Sequence, residues 1–220
     1  MDLLLLRPLI WGLIEYILAF LVYRNGRFER KSIALFLFFL GSYQIGEAVL
    51  QLTDLDMFGL KFAYFSTTFL PPFGFYFLNR ITGKNINYSI PFVFATILAV
   101  LFVVIPEPVK FIENVNCIAK VTMADDQTTF GWAWAIYYFT FLVSAIILGF
   151  YYLFKIKNRS IRSGLIQLIL AYIVFYPSAA IVILLSSKFD LTNAASLMCA
   201  FAIFTAVIIS RFSFTFKKDE

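Results

Sequence analysis

Histidine is absent from this chain of 220 residues, and only two cysteines are present. Zinc and haem sites rely mostly on His and Cys ligands, so the sequence predicts no metal ion and no cofactor. Gly-rich phosphate loops, Ser-x-x-Lys motifs and Gly-x-Ser-x-Gly motifs are also missing. We therefore expect that the chain is not itself an enzyme.

Charged residues are scarce as well, at 14% of the chain, whereas 61% of the residues are apolar and 20% are aromatic. A soluble domain has about 25% charged and about 45–50% apolar residues. A membrane-spanning helix needs roughly 20 apolar residues. The apolar runs therefore predict an all-α membrane protein, with a single seven-helix transmembrane domain over residues 1–220. The predicted spans are Leu3–Tyr23, Ser32–Leu52, Phe58–Leu78, Ser89–Ile105, Phe130–Phe154, Gly164–Ser186 and Leu191–Arg211.

The charges between the spans predict an orientation. Cytoplasmic loops of membrane proteins carry an excess of Lys and Arg, and 13 of the 18 basic residues fall on one side of these spans. The N-terminus is therefore expected outside and the C-terminus in the cytoplasm. This bias and contact with anionic lipid headgroups explain the net charge of +5, so no nucleic-acid partner is expected. The basic side holds Arg24, Arg27, Arg30, Lys31, Arg80, Lys84, Lys155, Lys157, Arg159, Arg162, Arg211, Lys217 and Lys218.

The connection 106–129 is the one long loop, and it falls on the outer side. Loops of this length are often functional or disordered, so we consider both a lid over an outward-facing pocket and a tolerated surface loop. The loop contains Cys117, and the other cysteine, Cys199, falls in the last span. We expect a free loop thiol and a buried thiol, with an intermolecular disulfide through Cys117 as the alternative.

Polar residues within the second and third spans are the candidate ligand-binding residues. Three on each span recur at positions i, i+3 and i+7, which places them on one face of each helix. The two faces lie at similar depth in the outer third of the membrane, and Glu47 and Lys61 are expected to form an ion pair. Interhelical pairs that only hold the helices together, an outward-facing polar pocket, and a Lys61 that reaches the interface alone all fit this pattern. The six candidates are Gln44, Glu47, Gln51, Lys61, Tyr64 and Thr68.

Other intramembrane features carry less information. Glu15 falls nearer the cytoplasmic half of the first span, and its candidate partner is Gln167 on the sixth. A proton relay would need a chain of acidic groups or histidines across the membrane, which the sequence does not provide. The Pro71-Pro72 pair and Pro177 predict helix kinks. Retinal binding would need a lysine in the seventh span, which has none.

Several short stretches resemble one bacterial family. They are residues 40–46, the segment from Lys61 to Gly83 with Pro71, the Phe130-Gly131-Trp132 opening of the fifth span, and the turn 189–192. Together they are similar, in order and spacing over nearly the whole chain, to the seven-helix N-terminal region of membrane sensor histidine kinases and diguanylate cyclases. The resemblance implies an input module in the bacterial inner membrane, N-terminus out and C-terminus in, joined through its seventh helix to a cytoplasmic signalling domain.

The sequence departs from that family in ending at Glu220 without a kinase or cyclase domain. We expect either an excised module or a stand-alone relative that signals through a partner. The leading hypothesis is a sensory, receptor-like module that binds a small or lipophilic ligand from the outer side. The alternatives are a transporter or channel and a structural membrane subunit. Expected partners are the lipid bilayer, the ligand, and a cytoplasmic signalling protein or a second copy of the chain.

Overall fold

The computed structural model describes residues 6–52, 55–109, 128–186 and 192–216. Within these residues the chain is helical and has no strand. Cys117 lies outside the described residues, and so do the side chains of Gln51, Pro177 and Cys199. The helices are α1 (Arg7–Asn25), α2 (Arg30–Leu52), α3 (Asp56–Thr68), α4 (Leu70–Thr82), α5 (Ser89–Val104), α6 (Thr129–Lys155), α7 (Arg159–Ser186) and α8 (Thr192–Thr215).

The third predicted span consists of two helices, α3 and α4, with Phe69 alone between them. Pro71 and Pro72 lie in the first turn of α4. A proline inside a helix removes the hydrogen bond to the residue four positions earlier, whereas the first turn of a helix needs no such donor. The two prolines therefore end α3 and begin α4, and the kink predicted at this site is confirmed as a one-residue break.

Within the described part of the chain, two helices are long and apolar enough to cross a membrane, judged by length and composition alone: Arg30–Leu50 within α2 and Thr129–Lys155 in α6. In their most apolar windows, 72% and 39% of the residues are buried in the bundle. A core helix of a soluble protein or a signal sequence would satisfy the same criteria. Ser89–Val104 and Ala200–Thr215 are apolar but shorter.

The helices pack so that the last described helix, α8, lies against the first, α1. Helix α1 packs against α2 and α8, and α2 also packs against α3. The interrupted segment contacts α5 through α3 and α6 through α4, and α7 then lies between α6 and α8. The last helix is therefore a neighbour of the first, which lets the α1–α2 connection contact α8.

Glycines bring the backbones of the first three helices together. A Cβ atom added to Gly12 of α1 would lie 3.1 Å from the carbonyl oxygen of Gly41 in α2. One added to Gly46 of α2 would lie 2.6 Å from the Cβ atom of Ala63 in α3 and 2.8 Å from its backbone nitrogen. Small residues permit this close approach between membrane helices as well as soluble ones. The polar side chains beside these glycines are consequently enclosed between helices.

Candidate functional site

Helices α2 and α3 pack against each other as predicted, and four of their six polar candidates are buried. Gln44, Glu47 and Thr68 are fully buried, and Tyr64 is 1% exposed. The two helices make contact through Gly46 and Ala63, which lie between these side chains in sequence. Gln51 belongs to α2, but its side chain lies outside the described part of the structure. Gln44 binds α1, whereas Tyr64 and Thr68 contact α5 and α6, so the predicted meeting of the two polar faces is not confirmed.

The predicted ion pair between Glu47 and Lys61 is wrong. The Lys61 ammonium donates to the carbonyl oxygen of Ile105, at 2.7 Å, and is 3.5 Å from that of Val103. The last carbonyls of a helix lack intrahelical donors and carry partial negative charge, so the flexible lysine binds the end of α5 instead. Glu47 accepts a hydrogen bond of 2.5 Å from the Tyr43 hydroxyl, one turn earlier on its own helix.

The predicted pairing of Glu15 with Gln167 is also wrong. Glu15 is fully buried and accepts a 2.9 Å hydrogen bond from the side-chain amide of Gln44. Glu15 lies eight residues after the start of α1 at Arg7, and Gln44 lies eight residues before the end of α2 at Leu52. The two helices run antiparallel, so these positions face each other. The amide nitrogen of Gln167 lies 3.5 Å from the Ser163 hydroxyl on its own helix.

Thr68, at the end of α3, is the centre of a buried polar cluster that also contains Tyr64, Trp134 and Tyr137; we call it the Thr68 cluster. The Thr68 hydroxyl donates to the Tyr64 carbonyl, at 2.6 Å, and accepts from the Trp134 indole N–H, at 2.8 Å. The Tyr137 hydroxyl donates to the Thr68 carbonyl, at 2.9 Å. Helix α6 therefore binds both the side chain and the backbone of the last residue before the break.

The hydrogen bond from Tyr137 replaces a backbone donor that proline lacks. In a continuous helix the Thr68 carbonyl would accept from the N–H of residue 72, but Pro72 has none. A buried carbonyl without a donor is costly, and the Tyr137 hydroxyl supplies the missing donor. Tyr172 of α7 also donates to the carbonyl of Leu70, the first residue of α4, at 3.0 Å. Side chains of two neighbouring helices thus stabilise the break.

Aromatic rings surround the Thr68 cluster. The Tyr64 ring stacks on Phe102 with centroids 4.8 Å apart, and it meets the Trp134 ring edge-on at 4.7 Å. Trp134 in turn stacks on Tyr138 at 4.7 Å. The structure shows these aromatics as packing and hydrogen-bonding partners of the broken helix.

A small crevice with a cavity volume of about 10 Å³ lies beside α4, lined by residues of α4, α6 and α7 that include Gly74, Ala145 and Tyr172. Typical small-molecule pockets have about 300–1,000 Å³. None of the residues predicted to bind a ligand lines it. Among the described residues there is also no group of three or more His, Cys, Asp or Glu side chains that could hold a metal ion.

A second polar cluster, which sequence reasoning missed, lies at the opposite end of α2 and comprises Glu29, Ser32, Tyr76 and Arg80; we call it the Glu29 cluster. The Glu29 carboxylate accepts hydrogen bonds of 2.5 Å from both the Tyr76 hydroxyl and the Arg80 guanidinium. The Ser32 hydroxyl donates to Tyr76 at 3.1 Å. The hydrogen bond and the charge attraction from Glu29 raise the pKa of the Arg80 guanidinium, which stays charged. The cluster joins the α1–α2 connection to the end of α4.

The backbone of Glu29 is itself unusual. Its φ angle of 42° lies in the left-handed region, which costs a residue with a side chain about 1–2 kcal/mol. Such strain persists where surrounding contacts over-determine it and is common in functional segments. The only acidic residue between Tyr23 and Leu40 therefore holds its position through its contacts to α4.

The same connection binds the last helix. The backbone N–H groups of Arg27 and Phe28 both donate to the carbonyl of Ser213 in α8, at 3.0 and 3.1 Å. The Ser213 hydroxyl donates back to the Phe28 carbonyl at 3.0 Å. The Phe28 ring packs edge-on against Phe212 and Phe216. These bonds satisfy a carbonyl near the end of α8 and fix that end against residues adjacent to Glu29.

No protein-family model matches the chain, and no curated protein and no solved structure shows significant similarity to it.

Proposed function

We propose that the chain is a sensory module embedded in a membrane, which binds a small or lipophilic ligand from the outer side and signals through its last helix. The observation that carries this proposal is the continuous set of contacts from the broken helix to α8. The Thr68 cluster holds the break, α4 runs from it to the Glu29 cluster, and residues 27 and 28 next to Glu29 bind Ser213.

The outer surface of the bundle supports the membrane part of the proposal. On α5 the large apolar residues Val93, Ile97 and Val100 are each more than half exposed, whereas the small residues Ala95 and Ala99 are buried. A contiguous exposed apolar surface is rare on a soluble monomer and suits contact with lipid tails. We propose seven spans, with α3 and α4 forming the third, an outside N-terminus and a cytoplasmic C-terminus, in a bacterial inner membrane.

With this orientation the two clusters have distinct places. Tyr64 is eight residues from the outer end of α3 at Asp56, or about 12 Å deep, and Thr68 is close to the middle of the bilayer. Aromatic rings with a few hydrogen-bonding groups suit a small or lipophilic ligand. A ligand that competes for the indole or hydroxyl donors on Thr68 would change the angle at the break. Glu29 and Ser213 lie at the cytoplasmic end, where a signalling partner would read α8.

A transporter or channel would need polar groups along a continuous path. Between Ser32 and Gly41, the buried residues on α2 are apolar and include Ile33, Phe36, Leu37 and Leu40. They separate the Glu29 cluster from Gln44 and Glu47. This arrangement favours transmission of a helix movement over passage of a solute.

The proposal predicts that Glu29→Gln changes the output of a fused signalling domain. We would attach the catalytic core of a histidine kinase after Glu220 and measure autophosphorylation in membranes. Glu29→Gln weakens the charge-assisted bond to Arg80. We expect the activity to change about fivefold, the lower end of typical allosteric coupling.

Lys31→Gln is the matched control, because Lys31 is an exposed charged residue of the same segment. It should leave autophosphorylation unchanged. Equal activities in the native, Glu29→Gln and Lys31→Gln fusions would contradict signalling through this contact.

A further inference from the structure

Glu15 and Gln44 form an isolated buried pair between α1 and α2. Both side chains are fully buried, and the amide nitrogen of Gln44 is 2.9 Å from one carboxyl oxygen of Glu15. Each residue follows, by three positions, a glycine at which the two backbones touch, Gly12 and Gly41. The pair therefore lies in a close helix–helix contact.

Two oxygen atoms of this pair have no hydrogen-bond donor among the described residues. They are the second carboxyl oxygen of Glu15, Oε2, and the amide oxygen of Gln44, Oε1. An ionised carboxylate and an amide oxygen both only accept, so exchanging the amide oxygen and nitrogen of Gln44 would not satisfy them. One added proton would satisfy both oxygens. A protonated Oε2 becomes a donor, and the Gln44 oxygen is its available acceptor. The side chains would then be joined by two reciprocal hydrogen bonds.

The described surroundings of Glu15 offer no cation to neutralise an ionised carboxylate. On its own helix, Arg7 and Arg24 are eight and nine residues away, about 12 Å or more along the axis. On α2 the nearby titratable groups are Tyr43 and Glu47, which bind each other.

The remaining neighbours of α1 are also uncharged where they are buried. Tyr16 is engaged with the Ser42 hydroxyl at 3.0 Å. Among the described side chains of α8, the buried polar ones are Thr205, Ser210 and Ser213, and Arg211 is exposed at the end. An unpaired carboxylate buried in such a contact is costly, and a buried acid without a partner is usually neutral.

We propose that Glu15 is a proton-binding site, in which Oε2 carries a proton and donates it to the amide oxygen of Gln44. Binding the proton closes the pair and holds α1 to α2. Releasing it leaves a carboxylate and two unsatisfied oxygens inside the contact, which loosens it. The site stands on residues outside the Thr68 and Glu29 clusters, so it is independent of the proposed function.

The test uses the purified full chain in lipid nanodiscs and compares native protein with Glu15→Gln. A glutamine at position 15 can form the same two hydrogen bonds as a protonated glutamate. The Glu15→Gln variant should therefore unfold within about 2 °C of the native protein near pH 4, where the unfolded glutamate is also protonated, and should be the more stable of the two at neutral pH. The native protein should become less stable as the pH rises, because the unfolded chain releases the proton more readily, and the variant should lack this loss. Glu47→Gln is the matched control and should keep it.

Infrared spectra provide a second readout. The native protein and the Glu47→Gln control should show the carbonyl band of a protonated buried carboxyl at neutral pH, and Glu15→Gln should lose that band. A destabilised or unfolded Glu15→Gln, or a native spectrum without the band, would overturn the proposal. A native protein stabilised by sodium ions in a manner abolished by Glu15→Gln would overturn it too, because the two oxygens would then bind a metal cation in place of a proton.

Discussion

Gly46→Ala is expected to lower the free energy of unfolding by about 1–3 kcal/mol, the usual range for overpacking. The new methyl group would lie 2.6 Å from the Cβ atom of Ala63 and 2.8 Å from its backbone nitrogen. A backbone cannot rotate away, so α2 and α3 would have to separate. That movement would also open the contacts around Gln44 and Tyr64. Thermal or denaturant unfolding in detergent would measure the loss.

Gly149→Ala is the matched control for that prediction, since it is the same change inside another helix. The added methyl group would meet the Cγ1 and Cδ1 atoms of Ile169 at 3.0 and 3.3 Å, which are parts of a flexible side chain. Alanine favours a helix over glycine by up to about 1 kcal/mol, so this variant should be neutral or slightly more stable. Equal effects of the two substitutions would contradict backbone contact between α2 and α3.

Tyr137→Phe is expected to reduce stability by about 1–3 kcal/mol, because it removes the donor to the buried Thr68 carbonyl. In a Pro72→Ala background the same change should have a much smaller effect. Alanine at this position regains a backbone N–H that can donate to the Thr68 carbonyl. The double-mutant cycle therefore tests whether the tyrosine replaces the hydrogen bond that proline removes.

Tyr23→Phe controls for the loss of a hydroxyl as such, because Tyr23 is 55% exposed. It should change the stability by less than about 0.5 kcal/mol. If Tyr137→Phe is as harmless as Tyr23→Phe, or costs the same in the native and the Pro72→Ala backgrounds, the Tyr137 hydroxyl does not compensate for the break.

Helix positions were predictable because long apolar runs and prolines are local signals. The break at Pro71-Pro72 and the packing of α2 against α3 also followed from local reasoning, since a short connection makes consecutive helices neighbours. The side of each helix that makes this contact, at Gly46 and Ala63, was not predicted. The hydrogen bonds that side chains donate across the bundle, by contrast, join residues that are far apart in the sequence. Trp134 and Tyr137 bind Thr68 from 66 and 69 residues away, and no spacing rule connects them.

The two wrong partners have specific causes. Taking Leu3 as the start of the first helix put Glu15 twelve residues deep, whereas α1 starts at Arg7. The difference of four residues is about 6 Å, enough to move Glu15 to the level of Gln44. Lys61 has a four-carbon stem, so its ammonium can reach several acceptors. The sequence does not show whether it binds a carboxylate or the carbonyls at the end of α5.

The Glu29 cluster was missed because its sequence signal is a single acidic residue among basic ones. The sequence presents one acid within a strongly basic connection, which favours a charge-bias interpretation of the whole segment. Only the fold brings Arg80 to Glu29 and Ser213 to Phe28. The left-handed backbone at Glu29 has no sequence signature either, because that conformation is usually adopted by glycine or asparagine.

The central claim is that the ligand side and the output side lie on opposite faces of a membrane, with α8 ending in the cytoplasm. Paired reporters, one active only outside and one active only in the cytoplasm, would be fused after Lys84, after Glu107 and after Glu220. The account predicts cytoplasmic activity at Lys84 and Glu220 and outside activity at Glu107. A fusion after Glu220 that is active only outside, or three fusions with the same location, would contradict it.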